Sequence, residues 1–152
     1  AGSTKVLREM HRPYTAEQFV SLVQRLHERV PELSLSTDII CGFPGETEAE
    51  FEETLDLARA CRFSKIHVFP YSPRTGTPAA ARTDQVAPEV KAERAARLRS
   101  LADELRAAEL ARRRGTRELA VVEGEDTALT ESYFEVPAPA GSRPGDVVEV
   151  TL

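Results

Sequence analysis

A chain of 152 residues, 41% hydrophobic and 30% charged, has material for one core and a small second one. Its formal charge of −5 argues against a purely electrostatic grip on nucleic acid. No apolar run approaches the ~20 residues of a membrane span, and AGSTKVLREM lacks an apolar leader core, so a cytoplasmic setting is expected.

In chain order, Thr15 to Gln18 (TAEQ) reads as a capping box with Tyr14 stapled to Phe19. Phe19, Val23, Leu26 and Val30 then form one stripe that Pro31 ends, which predicts a helix over 16–29. Leu33 to Ile40 alternates as a strand, with Leu33, Leu35 and Thr37 on one face and Ser34, Ser36 and Asp38 on the other. Thr47 to Glu50 (TEAE) caps a second helix carrying Phe51, Leu55 and Ala58, and Lys65 to Phe69 is the next strand. Strand, helix and strand within 33–69 predict a βαβ unit with parallel strands and a right-handed crossover.

Glu89 to about Arg114 reads as one long helix with Val90, Leu98, Leu101, Leu105 and Ala108 as its stripe and Gly115 as its stop. Strand candidates follow at Glu118–Val122, Thr127–Thr130, Tyr133–Val136 and Asp146–Thr151, a small antiparallel module in which PAPAGSRPG (137–145) is a loop. Charge is uneven: Lys91–Arg114 holds eight Lys/Arg against four acids, whereas Arg117 onward holds two Arg against eight acids. Any basic footprint therefore lies on the long helix.

In a parallel sheet the strands end at one edge, so GFPGET (42–47) and PYSPRTGT (70–77) open onto one crevice, the usual ligand position. Glu46, Glu48 and Glu50 crowd the helix N-terminus, and there is no P-loop lysine, so phosphate is disfavoured there. A neutral or cationic ligand fits better: ribose hydroxyls, an adenine edge, a sulfonium or an ammonium. The plain alternative is a tight βα turn with ordinary capping. Cys41 and Cys61, with His11, His27 and His67, form no CxxC, no HxxxH and no zinc spacing, and the cysteines alone cannot ligate an iron–sulfur cluster.

TDIICGFPGETEAEFEETL resembles the fifth strand and following loop of radical S-adenosylmethionine enzymes, and IHVFPYSPRTGTPAA resembles the sixth-strand signature of their methylthiotransferase branch. GSTKVLREMHRPYT resembles the segment preceding both, and HVFPYSPR is closest to the tRNA enzymes acting on threonylcarbamoyladenosine beside the anticodon. The resemblance implies an α/β fold: a parallel βα half-barrel from a TIM-like radical barrel over 1–87, a connecting helix over 88–115 and a TRAM-like antiparallel β module over 116–152. It also implies S-adenosylmethionine as cofactor and tRNA as partner. The family's N-terminal domain and CxxxCxxC loop for a four-iron four-sulfur cluster are not in this sequence, so the chain is expected to be the C-terminal part of a larger enzyme and to bind no cluster itself.

Carried onto these residues, Gly42 and Gly45 let backbone approach the adenosine, Pro44 fixes the turn, and Ile40 and Phe43 touch adenine. Asp38 or Glu46 accepts from ribose hydroxyls or the ammonium group, each being alternatively a cap or salt-bridge partner. Phe69 and Tyr71 share a strand face and line the cavity or pack as core. Arg74 grips a carboxylate or RNA phosphate, with Thr77 beside it as a substrate contact. On the long helix, Arg94, Arg97, Arg99 and Arg106 with Arg112, Arg113 and Arg114 either track an RNA backbone or are solvated. Tyr133 and Phe134 offer stacking faces in a module whose acidity departs from a nucleic-acid surface. Cys41 reads as a small buried hydrophobe. An open strand edge along 33–40 is expected to pair copies of the chain. A non-catalytic RNA-binding module and a methylthiotransferase for a ribosomal protein remain the alternatives.

Overall fold

The first residues form a short helix that the sequence pattern does not single out: α1 (Thr4–Glu9) buries Val6 and Leu7. The computed structural model describes residues 1–152. Ahead of α1, the Gly2 N–H donates to Thr54 Oγ1 at 2.8 Å. Helix α2 (Ala16–Arg29) starts at the predicted capping box: Gln18 N–H donates to Thr15 Oγ1 at 3.2 Å and Thr15 N–H to Gln18 Oε1 at 2.9 Å. The Tyr14 and Phe19 rings stack with centroids 5.8 Å apart.

Strand β1 (Ser36–Cys41) begins three residues later than the alternation suggests. Leu33 N–H is taken by Val30 O in the turn after α2, at 3.0 Å, and pairing starts only at Ser36. Helix α3 (Glu48–Cys61) carries a second reciprocal capping box between Thr47 and Glu50. Strand β2 (Lys65–Pro70) then runs parallel to β1, in register from Ser36 opposite Lys65 to Cys41 opposite Pro70. Strand pleating sends Ile39 and Cys41 inward and leaves Ser36 and Asp38 exposed on the other face, with Ile40, next in that row, half-buried.

Chain contacts divide the molecule into two units, Ala1–Leu105 and Arg106–Leu152, with the division inside α4 (Pro88–Arg113). In the first unit the apolar faces meet in one core. Phe51, Leu55 and Ala58 of α3 pack with Ile39 of β1, Ile66 of β2, Val23 of α2 and Leu98 and Leu101 of α4. Each large side chain removed from water there contributes about 1.5–3 kcal/mol. β1 has β2 on one side and no strand on the other.

The second unit holds an antiparallel sheet in the order β5-β4-β3-β6, formed by β3 (Arg117–Val122), β4 (Thr127–Thr130), β5 (Glu135–Pro137) and β6 (Val147–Thr151). Ala120, Val122 and Ala128 are its buried centre. The third strand starts two residues later than expected because Tyr133, at φ 64°, belongs to the turn, where its N–H donates to Thr130 O at 2.8 Å. The predicted stripe of α4 also fails at its end: Ala108 is exposed, and the neighbouring Glu109 is buried instead. The chain is thus a mixed α/β fold with separate parallel and antiparallel sheets, and no helix is long and apolar enough to cross a membrane.

Candidate functional site

The loops leaving β1 and β2 start side by side, tied by Tyr71 N–H donating to Cys41 O at 2.8 Å. The first, GFPGE, is held by the chain itself. Gly42 and Gly45 lie at φ +73° and +75°, where L side chains are strained, and both are tightly covered. A Cβ at Gly42 would sit 2.3 Å from Lys91 Cγ, and one at Gly45 would sit 2.5 Å from Arg82 Nη2 and Asp84 Oδ2. Arg82 in turn bridges Glu9 at 2.6 Å and Asp84 at 2.5 Å, and Gly45 N–H donates to Asp84 O at 2.8 Å.

Glu46 is the buried centre of this loop. Its Oε2 accepts from Gly42 N–H at 2.6 Å and from Arg94 Nη1 at 2.9 Å, with the two side chains 0% and 5% exposed. Burial pushes its carboxyl above the usual range, against the opposing pull of the Gly42 N–H and the Arg94 guanidinium. The other acids at the start of α3 are paired as well: Glu48 with Arg97 at 2.5 Å and Glu50 with Lys5 at 2.9 Å. Gly42, Phe43, Pro44, Gly45 and Glu46, expected at the cofactor, are packed against the chain itself, although the second carboxylate oxygen of Glu46, Oε1, is buried without a hydrogen-bond partner. Close backbone approach is made by Lys91, Arg82 and Asp84, Phe43 and Pro44 are buried, and Glu46 takes its salt-bridge alternative.

Beyond that loop, Asp38, Ile40, Phe69, Tyr71, Arg74 and Thr77 line one cleft of about 570 Å³. Asp38 and Ile40 come from the outward row of β1, and Phe69 is 50% exposed near the end of β2. The Tyr71 ring meets Phe43 edge-on at 5.3 Å, while its buried hydroxyl has no hydrogen-bond partner. Lys91 Nζ donates to Tyr71 O at 3.2 Å and so ties α4 to the second loop. The carbonyl of Arg74 accepts from the Thr77 N–H at 3.1 Å and hydroxyl at 2.8 Å, which closes the PRTGT turn and leaves the guanidinium exposed.

Arg12 also lines this cleft. Sequence reasoning gave it no role, although it lies in a quoted motif segment. The signal that could have found it is the HRP turn: His11 takes φ 57° and Pro13 follows, which ends α1 and leaves Arg12 in the turn before α2.

The basic face expected on α4 is largely consumed by ion pairs. Arg94 holds Glu46, Arg97 holds Glu48 and Glu52, and Arg112 holds Glu109 at 2.8 Å. Arg113 is 2% exposed, between Glu109 and Glu118, so it does not face an RNA backbone; Arg99 and Arg114 are exposed. Phe134 is buried, with the Arg106 guanidinium 4.5 Å from its ring centroid, so it offers no stacking face; Tyr133 is 60% exposed and does. Cys41 and Cys61 are free and buried, and burial raises both thiols, Cys61 to about 11. No group of three or more His, Cys, Asp or Glu side chains is gathered in a way that would hold a metal ion.

Residues 1–58 match the family described as the radical SAM superfamily. The tRNA-2-methylthio-N(6)-dimethylallyladenosine synthase of Carboxydothermus hydrogenoformans is 53% identical over 94 residues, which take in 62% of this chain and 21% of that protein. Proteins of the same name from Nocardioides sp. and Frankia alni are each 43% identical, over 99% and 100% of this chain and 34% and 33% of their own lengths. The chain therefore spans about a fifth to a third of the length of the curated relatives it matches. The family match over residues 1–58 and the likeness to the tRNA-2-methylthio-N(6)-dimethylallyladenosine synthases along the whole chain agree with the motif resemblance. The threonylcarbamoyl detail taken from HVFPYSPR is not supported, because the relatives are named for dimethylallyladenosine.

Proposed function

We propose that this chain belongs to a radical SAM tRNA methylthiotransferase, forming one wall of its cofactor cleft within a TIM-like barrel and a TRAM-like tail. The substrate proposed is a tRNA adenosine carrying an N(6)-dimethylallyl group, methylthiolated at position 2, as the names of its relatives describe. The observation that carries this reading is the likeness over the whole chain at 43% identity, together with one cleft at the carboxyl edge of β1 and β2.

The donor set of the cleft fits S-adenosylmethionine. Ile40 and Phe69 offer apolar faces to an adenine, and Asp38 accepts from a ribose hydroxyl or an ammonium group. The buried Tyr71 hydroxyl lacks a partner, and leaving such a group unpaired costs about 1–3 kcal/mol, which a ligand oxygen or nitrogen would offset. The GFPGE loop acts behind this wall, fixing its shape through Glu46 and Arg94. Bound to a reduced four-iron four-sulfur cluster held by cysteines outside this chain, the cofactor supplies the radical and methyl chemistry. Residues of this chain bind and orient; none is proposed to ligate iron. The open edge of β1 is the only feature in favour of pairing between copies, and no dimer is proposed from it.

The test is reconstitution of the full-length protein with iron and sulfide under reducing conditions. Incubation with S-adenosylmethionine and tRNA bearing dimethylallyladenosine should add a methylthio group to that nucleoside by mass spectrometry. Absence of cofactor cleavage would leave a non-catalytic RNA-binding module as the surviving reading.

A further inference from the structure

We propose that Arg12 and Arg74 form a two-armed anion grip at the cleft that holds the phosphates of RNA flanking the target nucleotide. The proposal rests on the tRNA reading above and adds to it a residue, Arg12, and a ligand group.

The first observation is the fate of the other arginines around this sheet edge. Arg82, Arg94 and Arg97 all stand in ion pairs with the chain's own carboxylates. Arg12 and Arg74 are exposed, have no ion-pair partner and line the same cleft of about 570 Å³. Asp38 shares that cleft without pairing to either.

The second observation is backbone anchoring. Arg12 N–H donates to Leu7 O at 2.9 Å, and the residue is flanked by His11 at φ 57° and by Pro13. Arg74 follows Pro73, and its carbonyl takes two bonds from Thr77. Each guanidinium thus swings from a fixed base, which lowers the ordering cost when it closes on a ligand.

The third concerns ligand chemistry. One guanidinium satisfies a carboxylate by a bidentate pair, so a single amino-acid tail needs one of these arms. Two arms from separate loops suit a chain that presents successive charges, and contacts of that kind position a nucleic acid without reading its sequence. The half-exposed Phe69 ring, which lines the same cleft, supplies a face on which a base can stack.

The test measures binding of a fluorescent anticodon stem-loop RNA to the 152-residue chain over a series of salt concentrations. Arg12→Ala and Arg74→Ala should each weaken binding about tenfold and lower the salt slope by about 1, while Arg12→Lys keeps the slope and loses part of the affinity. Arg29→Ala, also exposed and unpaired but outside the cleft, should bind like the parent. Circular dichroism of each variant checks that the fold is retained. S-adenosylhomocysteine is titrated in parallel: if Arg12→Ala weakens it and spares RNA, the anion is a carboxylate and the grip on phosphate is refuted. No RNA binding by the parent chain, or equal binding by all variants, also overturns the proposal. Methylthio transfer by a full-length protein whose RNA affinity ignores both arginines would sink the grip alone. Lost RNA affinity in the variants, with no transfer by the intact protein, would sink the enzyme reading alone.

Discussion

Arg113 Nη1 donates to Glu118 Oε1 at 2.7 Å, and both side chains are almost wholly buried, 2% and 5% exposed. The same guanidinium reaches Glu109 Oε1 at 2.7 Å through Nε, and Glu118 also accepts from the Ser132 hydroxyl and N–H. Within the second unit this network joins the last turn of α4 to β3 and to the turn before β5. Removing one partner strands the other charge in a low-dielectric interior, which costs about 3–5 kcal/mol. Arg113→Ala should therefore lower the stability of the tail by that order in chemical denaturation, whereas Arg114→Ala, at an exposed neighbour, should change it by less than about 0.5 kcal/mol.

The same network sets an acid limit. Burial alone would raise the Glu118 carboxyl, but hydrogen bonds from Ser132 and Arg113 together hold it below the ordinary glutamate range. Glu109 behaves likewise through Arg112 and Arg113. A depressed folded-state value stabilises fully above the unfolded carboxylate pKa and is lost as pH falls through the folded value. Parent stability should therefore drop below about pH 4.5, near the unfolded glutamate value. Glu118→Gln, less stable at neutral pH, should show a shallower acid slope in denaturation curves taken across that window.

Local signals were legible in the sequence and partner choice was not. Thr15 with Gln18 and Thr47 with Glu50 are three residues apart, so both helix starts could be read directly. The start of β1 depends on where β2 pairs with it, and alternation in LSLS cannot supply that. Arg94 and Glu46 are 48 residues apart, so a charged helix looked solvated when one of its arginines was the core partner of the loop. In the Arg112–Arg114 triplet, the i,i+4 spacing of Glu109 and Arg113 was the one clue to which arginine turns inward. The cleft itself was half visible. Parallel strands put Asp38, Phe69 and Arg74 at one edge, whereas the covering of Gly42 and Gly45 arises from residues 82–91, far along the chain.

The Glu46–Arg94 pair should behave as a coupled unit. Arg94→Ala leaves a buried carboxylate with one backbone donor, and should cost about 3–5 kcal/mol. Adding Glu46→Gln removes the charge that was left behind, so the double variant should be more stable than Arg94→Ala alone. Strictly additive losses in a double-mutant cycle would show that the two side chains do not share this interaction.

Cys41 and Cys61 should resist alkylation in the folded chain. Both are fully buried, and burial raises both thiols, so little thiolate is present and reagents cannot reach it. Labelling by iodoacetamide at pH 8 should be slow in buffer and rise steeply through the unfolding transition in urea. Rapid stoichiometric labelling of the native chain would contradict the packing of Cys41 in β1 and Cys61 at the end of α3.

Gly42 separates two costs that a single substitution would confuse. Gly42→Ala places a methyl 2.3 Å from Lys91 Cγ and also holds an L residue at φ +73°. The backbone part alone costs about 1–2 kcal/mol. Lys91→Ala removes the colliding methylenes together with the bond from Nζ to Tyr71 O. In the Gly42→Ala, Lys91→Ala double variant, the loss should therefore be smaller than the sum of the two single losses, since the clash exists only while both side chains are present. The positive φ cost should remain, keeping the double variant less stable than Lys91→Ala by about 1–2 kcal/mol in urea denaturation. Simple additivity would mean that Lys91 does not pack on this glycine. Recovery to the stability of Lys91→Ala would mean that the loop leaves its left-handed conformation at no cost.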